Sequence, residues 1–131
     1  MKSKQVLSVE QMIHLRELGL DTSDGSMCFE WNESDADNMV VTSPDADTNY
    51  DYYHETYTLQ DILDKLPHYL NPFPSKQILF AWMIERDAIA YRNVEDIDDC
   101  LKHFTDDLLI DAAYDMLCWC IENRYIKTNQ L

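Results

Sequence analysis

The stretch Thr105-Asp-Asp-Leu-Leu-Ile-Asp-Ala-Ala-Tyr-Asp-Met-Leu-Cys-Trp-Cys-Ile-Glu-Asn-Arg-Tyr-Ile126 decides how the rest of the chain is organised. Its apolar residues recur at three- and four-residue spacing, which predicts one long amphipathic helix, the spine helix. Thr105 can cap its first turn, and Asp106 and Asp107 suit the positive end of the helix dipole. We expect the helix to leave Asp111, Asp115 and Glu122 in solvent and to bury Leu109, Ala113, Met116, Leu117 and Cys120.

Two shorter helices carry capping signals. Ser8 followed by Gln11 is the pattern of a capping box and predicts a helix over residues 9–18, which Gly19 can end in a left-handed conformation. Thr58 followed by Asp61 predicts a second helix, which Pro67 should end or kink. A short acidic helix over residues 95–104 would then lead into the spine helix.

Strands are predicted where β-branched and aromatic residues cluster, over residues 27–31, 38–42, 77–84 and 88–93. Residues 50–57 suit an extended edge, and residues 43–49 suit a loop. We therefore expect one α+β domain over residues 1–131, with element order α-β-β-α-β-β-α-α. Its two hairpins would form one antiparallel sheet packed against the long C-terminal helix.

The charge balance restricts the partners of the protein. The chain of 131 residues has 10 basic and 25 acidic residues, a formal net charge of −15. Such a surface repels phosphate groups, which disfavours direct binding of nucleic acid and of anionic membranes. No apolar run approaches the roughly 20 residues that span a bilayer. Polar residues interrupt the N-terminal run that could form an export signal, so we expect a cytoplasmic protein.

Cysteine spacing and motifs give no sign of catalysis. None of Cys28, Cys100, Cys118 and Cys120 forms a CxxC pair, so we expect reduced, mostly buried thiols. The chain contains no GxSxG, HExxH, P-loop or GxGxxG motif. The expectation is a non-enzymatic protein without a cofactor.

An acidic, tyrosine-rich segment is the first candidate binding surface. Between Arg16 and Lys65 lie 13 acidic residues and no lysine or arginine. Tyrosine is enriched in interfaces because it joins an apolar ring to a polar tip. A strand that packs two of its tyrosines on the core, beside a solvated loop, is the alternative interpretation. The candidate partner-binding residues are Tyr50, Tyr52, Tyr53, Tyr57, Asp45, Asp47 and Asp51.

The same segment contains a spacing that resembles a calcium-binding loop. Asp45, Asp47, Asn49 and Asp51 alternate along the chain, and hard cations take six to eight oxygen ligands. The pattern lacks its glycine, because Tyr50 stands there, and its bidentate glutamate. We therefore expect no tight calcium binding, and a small divalent-cation-binding protein or enzyme that uses this loop is the alternative function.

Three stretches, residues 4–20, 57–67 and 109–126, together resemble a family of small uncharacterised proteins found in prophage-like and conjugative elements of gut anaerobes. The resemblance is weakest over residues 21–55. It implies a context, an accessory protein of a mobile element, and carries over no site residues.

The leading functional expectation combines charge and context. We expect a non-enzymatic accessory protein that binds another protein, with an acidic surface that meets a basic partner or mimics the charge of DNA. The acids of the spine helix are a second candidate for this surface, against the alternative of a merely solvated face. They are Asp107, Asp111, Asp115 and Glu122.

Overall fold

The computed structural model describes residues 4–31, 39–42 and 53–128. Within these ranges the elements follow one another as α1 Val9–Glu17, β1 Met27–Trp31, β2 Met39–Thr42, β3 Tyr53–Thr56, α2 Leu59–Lys65, β4 Tyr69–Leu70, a short 3₁₀ helix Pro74–Lys76, β5 Phe80–Glu85, β6 Ala88–Asn93, β7 Asp96–Thr105 and α3 Leu109–Glu122. The predicted loop over residues 43–49 lies outside the described residues.

Both capping boxes are confirmed. The Ser8 side chain accepts from the Gln11 backbone N–H and the Gln11 side chain from the Ser8 N–H, while Thr58 and Asp61 make the same exchange before α2. Gly19 has φ 100°, so it ends α1 in the left-handed conformation that glycine adopts without strain. Helix α2 ends before Pro67, as predicted, because proline cannot continue the hydrogen-bond ladder.

The strands form two antiparallel sheets rather than the single sheet predicted. One has the order β2-β1-β3 and the other β4-β5-β6-β7. Strand β1 pairs with β2 on one side and with β3 on the other. Strand β6 likewise pairs with β5 and with β7. Each predicted hairpin therefore gains its further strands from its own neighbourhood, and no described strand pairs across the two sheets. The α+β class of this small single domain is as predicted.

The segment predicted as a short acidic helix over residues 95–104 is strand β7. Strand β6 is buried at its centre, and its backbone polar groups need partners on both sides. Strand β7 supplies them, with Ile89 opposite Phe104 and Tyr91 opposite Lys102. This demand from the tertiary structure outweighs the weak helical pattern of the segment.

Helix α3 is the predicted spine helix, and it packs on β6 and β7 and against α2. It begins later than expected, because Thr105 ends β7 and the N-cap position falls on Leu108, which makes no side-chain cap. The Asp106 side chain instead accepts from the Leu108 N–H at 3.2 Å. At the far end Arg124, with φ 64°, takes the left-handed position that usually holds glycine.

The core lies between α3, the other helices and the second sheet. The predicted burial of Ala113, Met116, Leu117 and Cys120 is confirmed, whereas Leu109 is only partly buried. Burying side chains of this size contributes about 1.5–3 kcal/mol for each large one, so this face is the main support of the fold. All four cysteines are thiols, and Cys100 is the one that lies exposed.

Candidate protein-binding surface

The predicted binding residues are only partly visible in the described chain. Asp45, Asp47, Tyr50, Asp51 and Tyr52 lie outside the described residues. Tyr53 begins strand β3, an outer strand of the first sheet, which fits the predicted extended edge over its described part.

Tyr57 corrects the prediction of an exposed aromatic anchor. It is fully buried, with 0% of its surface exposed, and its ring packs in the core with Ile62. Only its hydroxyl reaches polar groups, donating to Asp24 Oδ1 at 2.8 Å and lying 3.2 Å from the Asp21 carbonyl. A buried ring with a satisfied hydroxyl stabilises this domain and cannot insert into a partner.

The acids around Tyr57 are partly neutralised. Lys65 forms an ion pair with Asp24 and lies 5.4 Å from the centre of the Tyr57 ring. Partial burial raises the pKa of Asp24, but hydrogen bonds from Lys65 and Tyr57 outweigh this and leave that pKa below its usual value. The adjoining cleft carries both signs of charge, from Asp21, Asp24, Asp64, Lys65 and Lys127.

The acids of the spine helix divide into two groups. Asp111, predicted to lie in solvent, is instead bonded through Oδ1 to Lys4 Nζ at 2.8 Å and to Gln11 Nε2 at 2.9 Å. Lys4 also donates to Gln11 Oε1 at 2.7 Å. Asp111 therefore ties the N-terminal segment and α1 to the spine helix, and its charge is already matched.

Asp115 of α3 belongs to what we call the α3 acidic surface, together with three acids outside the helix: Asp87, Asp106 and Asp107. Glu122, predicted to lie in solvent, is exposed at the last position of α3. The Asp106 N–H donates to the Asp87 carbonyl at 3.2 Å, which brings the β5–β6 turn beside the start of α3. Asp87, Asp106 and Asp107 line one open cleft with Thr105. The ion pairs between described residues use Asp111, Glu17, Asp24 and Glu85 and none of these four acids.

The pKa of Asp115 reflects its burial and the charges around it. Partial burial raises its pKa above the usual value, and the negative charges of Asp106 and Asp111 raise it further. Like charges disfavour ionisation when no cation offsets them. The surface therefore holds negative charge that a cationic group from outside could stabilise.

Groups that could act as nucleophiles or hold metals are poorly placed among the described residues. Burial raises the pKa of Cys118 to about 11 and that of Cys120 to about 12, so little thiolate forms at neutral pH. In the part of the chain that the structure describes, no three His, Cys, Asp or Glu side chains are grouped to hold a metal ion. Likewise no helix within the described ranges is long and apolar enough to cross a membrane.

Comparison of the chain with models of protein families, with curated proteins and with solved structures produced no match.

Sequence reasoning missed how distant segments meet at this surface. Gln11 carried a clear signal for the capping box but none for its bond to Asp111, which is 100 positions away. Asp87 lies between the strands predicted over residues 77–84 and 88–93 and carried no signal for its position beside Asp106. Hydrophobic periodicity places acids on the outer side of a helix, but it does not identify which of them another segment will cover.

Proposed function

We propose that this is a non-enzymatic accessory protein that binds a basic protein through the α3 acidic surface. The resemblance to small proteins of prophage-like and conjugative elements supports a role within such an element, in the cytoplasm. A surface of this charge also suits a mimic of DNA, whose partners carry lysine and arginine at their binding sites.

The observation that carries the proposal is the grouping of Asp87, Asp106 and Asp107 along one cleft, where none of them forms an ion pair with a described residue. Neighbouring carboxylates repel one another, and no ion pair with a described residue offsets this repulsion at any of these acids. A basic partner would relieve this repulsion and gain association rate from the field of the acids. Solvation alone gives no reason to concentrate the acids of a turn and a helix in one place.

The test is a comparison of captured proteins from a lysate of the native host. One variant replaces Asp106, Asp107 and Asp115 with Asn. A matched control replaces three exposed acids on other helices, Glu10 and Glu17 with Gln and Asp64 with Asn, so both variants lose the same formal charge.

Wild type and control should recover the same basic proteins at low salt, and the Asp106, Asp107 and Asp115 variant should lose them. High salt should weaken all captures, because exposed charges are screened beyond about 8–10 Å. Equal losses in the two variants would mean that only overall charge matters, and no loss in either would refute this surface.

The alternative function, divalent-cation binding by Asp45, Asp47, Asn49 and Asp51, has a simple thermal test. A ligand that binds only the native state at a hundred times its Kd adds about 2.7 kcal/mol of stability. We expect millimolar calcium to leave the melting temperature unchanged. A clear rise that Asp47→Ala abolishes would support the alternative instead.

A further inference from the structure

A second surface, at the tip of the β6–β7 hairpin, exposes large apolar side chains. Ile97 is 62% exposed, Val94 44% and Leu79 38%. Val94 is bonded to Leu79 through a 3.0 Å backbone hydrogen bond, so these two side chains start from adjacent points of one surface. We call Leu79, Val94 and Ile97 the hairpin-tip patch.

Turn chemistry does not explain the apolar residues of this patch. Asn93 pairs with Asp96, so Val94 and Glu95 occupy the two turn positions. Two-residue hairpin turns favour glycine, asparagine and aspartate, and a β-branched valine is a poor choice there. Core packing does not explain them either, because both Val94 and Ile97 are largely exposed. Departures from local rules of this kind are expected at functional sites.

The backbone of the tip is held in place before any partner arrives. The Asn93 side chain accepts from the Glu95 N–H at 2.9 Å, and Arg92 Nη1 donates to the Ile97 carbonyl at 3.1 Å. The Arg92 guanidinium is in turn fixed by Glu85, with Nε 2.7 Å from Oε1. A preorganised surface loses less conformational entropy on binding.

The charges around the patch select the kind of partner. The acids Glu95, Asp96, Asp98 and Asp99 lie in the same turn and strand start, all exposed, while the nearby cation Arg92 is paired with Glu85. A second copy of this chain would bring the same acids against them, and nucleic acid or an anionic membrane would be repelled. A cationic protein segment is the partner that gains from both the apolar patch and its acidic surround.

We propose that the hairpin-tip patch docks an amphipathic segment of a partner protein, one that presents apolar side chains flanked by lysine or arginine. The inference rests on the proposed function in taking the partner to be a basic protein, and it adds a docking site at the end of the sheet opposite the α3 acidic surface. Apolar anchors inside a charged surround are the usual arrangement of an energetic centre and its rim.

Two synthetic probes separate the apolar and charged contributions. One is a short peptide with leucine and lysine at helical spacing, and the other replaces every leucine with serine at the same charge. Binding to wild type is compared with Ile97→Ser and with the control Ile13→Ser, which removes an apolar side chain of similar exposure, 42%, from α1. A further variant neutralises Glu95 and Asp96 with Gln and Asn. Amide chemical shifts locate the bound peptide.

The leucine peptide should bind wild type and Ile13→Ser alike and bind Ile97→Ser with a Kd higher by on the order of tenfold, mainly through faster dissociation. The Glu95 and Asp96 variant should instead slow association and reduce its dependence on salt. The serine peptide should bind wild type, Ile13→Ser and Ile97→Ser weakly and equally, with no shifts focused on Val94 and Ile97.

Two outcomes would overturn the inference. One is an unchanged Kd for Ile97→Ser, and the other is a set of shifts confined to the α3 acidic surface. The second result would leave the proposed function standing and remove only the docking site. The reverse outcome is also distinguishable. If the Asp106, Asp107 and Asp115 variant still captured the same proteins while Ile97→Ser raised the Kd of the leucine peptide, the α3 acidic surface would be refuted and the hairpin-tip patch would stand.

Discussion

Replacing Asp111 with Asn tests the link between the N-terminal segment and the spine helix. The substitution keeps the shape of the side chain and removes its charge, while Lys4 and Gln11 remain in place. In the native structure Asp111 is 20% exposed and Lys4 26%, so water screens this ion pair less than an ordinary surface pair.

The expected loss of stability follows from the two hydrogen bonds whose acceptor becomes neutral. Hydrogen bonds to charged groups contribute about 1.5–3 kcal/mol, and neutral ones about 0.5–1.5 kcal/mol, so each of the two bonds should weaken by roughly 1 kcal/mol. The loss of a favourable acid from the first helical turn adds about 0.3–1 kcal/mol. Removing the repulsion between the carboxylates at positions 111 and 115 offsets about 0.2–0.5 kcal/mol of this loss of stability. These terms sum to about 2–3 kcal/mol. Because both side chains are partly exposed and terms of one network are not fully additive, we expect a smaller net destabilisation of about 1–2 kcal/mol at neutral pH.

The pH dependence provides an independent check. Partial burial raises the pKa of Asp111, but the bonds from Lys4 and Gln11 outweigh it and lower the pKa below 3.8. A depressed carboxyl pKa stabilises the folded state above the unfolded value, and this contribution disappears as the pH falls through the folded value. The difference between wild type and variant should therefore be constant near neutrality and shrink below pH 3.8.

Urea unfolding measured across this pH range is the assay. A loss of 1 kcal/mol should also lower the Tm by roughly 3–5 °C in a chain of this size. Asp107→Asn is the matched control, since Asp107 is an exposed acid of the same region, and it should change stability by less than about 0.5 kcal/mol. If both variants behave alike, or if the loss for Asp111→Asn does not vary with pH, the network contributes nothing and the reasoning is wrong.

Three further predictions concern the spine helix and the thiols. Met116→Ala should destabilise the domain by about 2–5 kcal/mol in urea unfolding, and a loss below half a kcal/mol would mean that the helix buries another face. Iodoacetamide should modify Cys100 in the native protein but Cys118 and Cys120 only after unfolding, because burial raises the pKa of these two thiols. Mass spectrometry of an unreduced, denatured sample should show four modified thiols. Asp115→Asn should stabilise the domain by about 0.2–0.5 kcal/mol at neutral pH, since a raised carboxyl pKa penalises the ionised folded state. That gain should vanish below pH 3.8, where the acid is protonated in both states, and a gain that persists there would contradict the electrostatic cause.

The sequence by itself determined the features that depend on a few neighbouring residues. Both capping boxes, the left-handed Gly19 and the strand over residues 88–93 were all predictable, because a cap or a turn is satisfied by groups within four positions along the chain. The buried face of the spine helix was predictable for a similar reason. Its apolar spacing matches the helical period, whatever surface it packs against.

The tertiary structure alone decided the features that depend on distant partners. Strand β7 is a strand because β6 needs a second hydrogen-bonded neighbour, a demand that local propensity does not contain. Tyr57 is buried because it joins the core cluster to which α1 and α2 contribute Leu15 and Ile62, although its tyrosine-rich segment suggested exposure. Asp111 forms an ion pair with Lys4, whereas Asp115 forms none with a described residue, although both lie on the outer side of α3. Charge and periodicity predicted acids on a surface, and only long-range packing determined which of them form ion pairs within the described part of the chain.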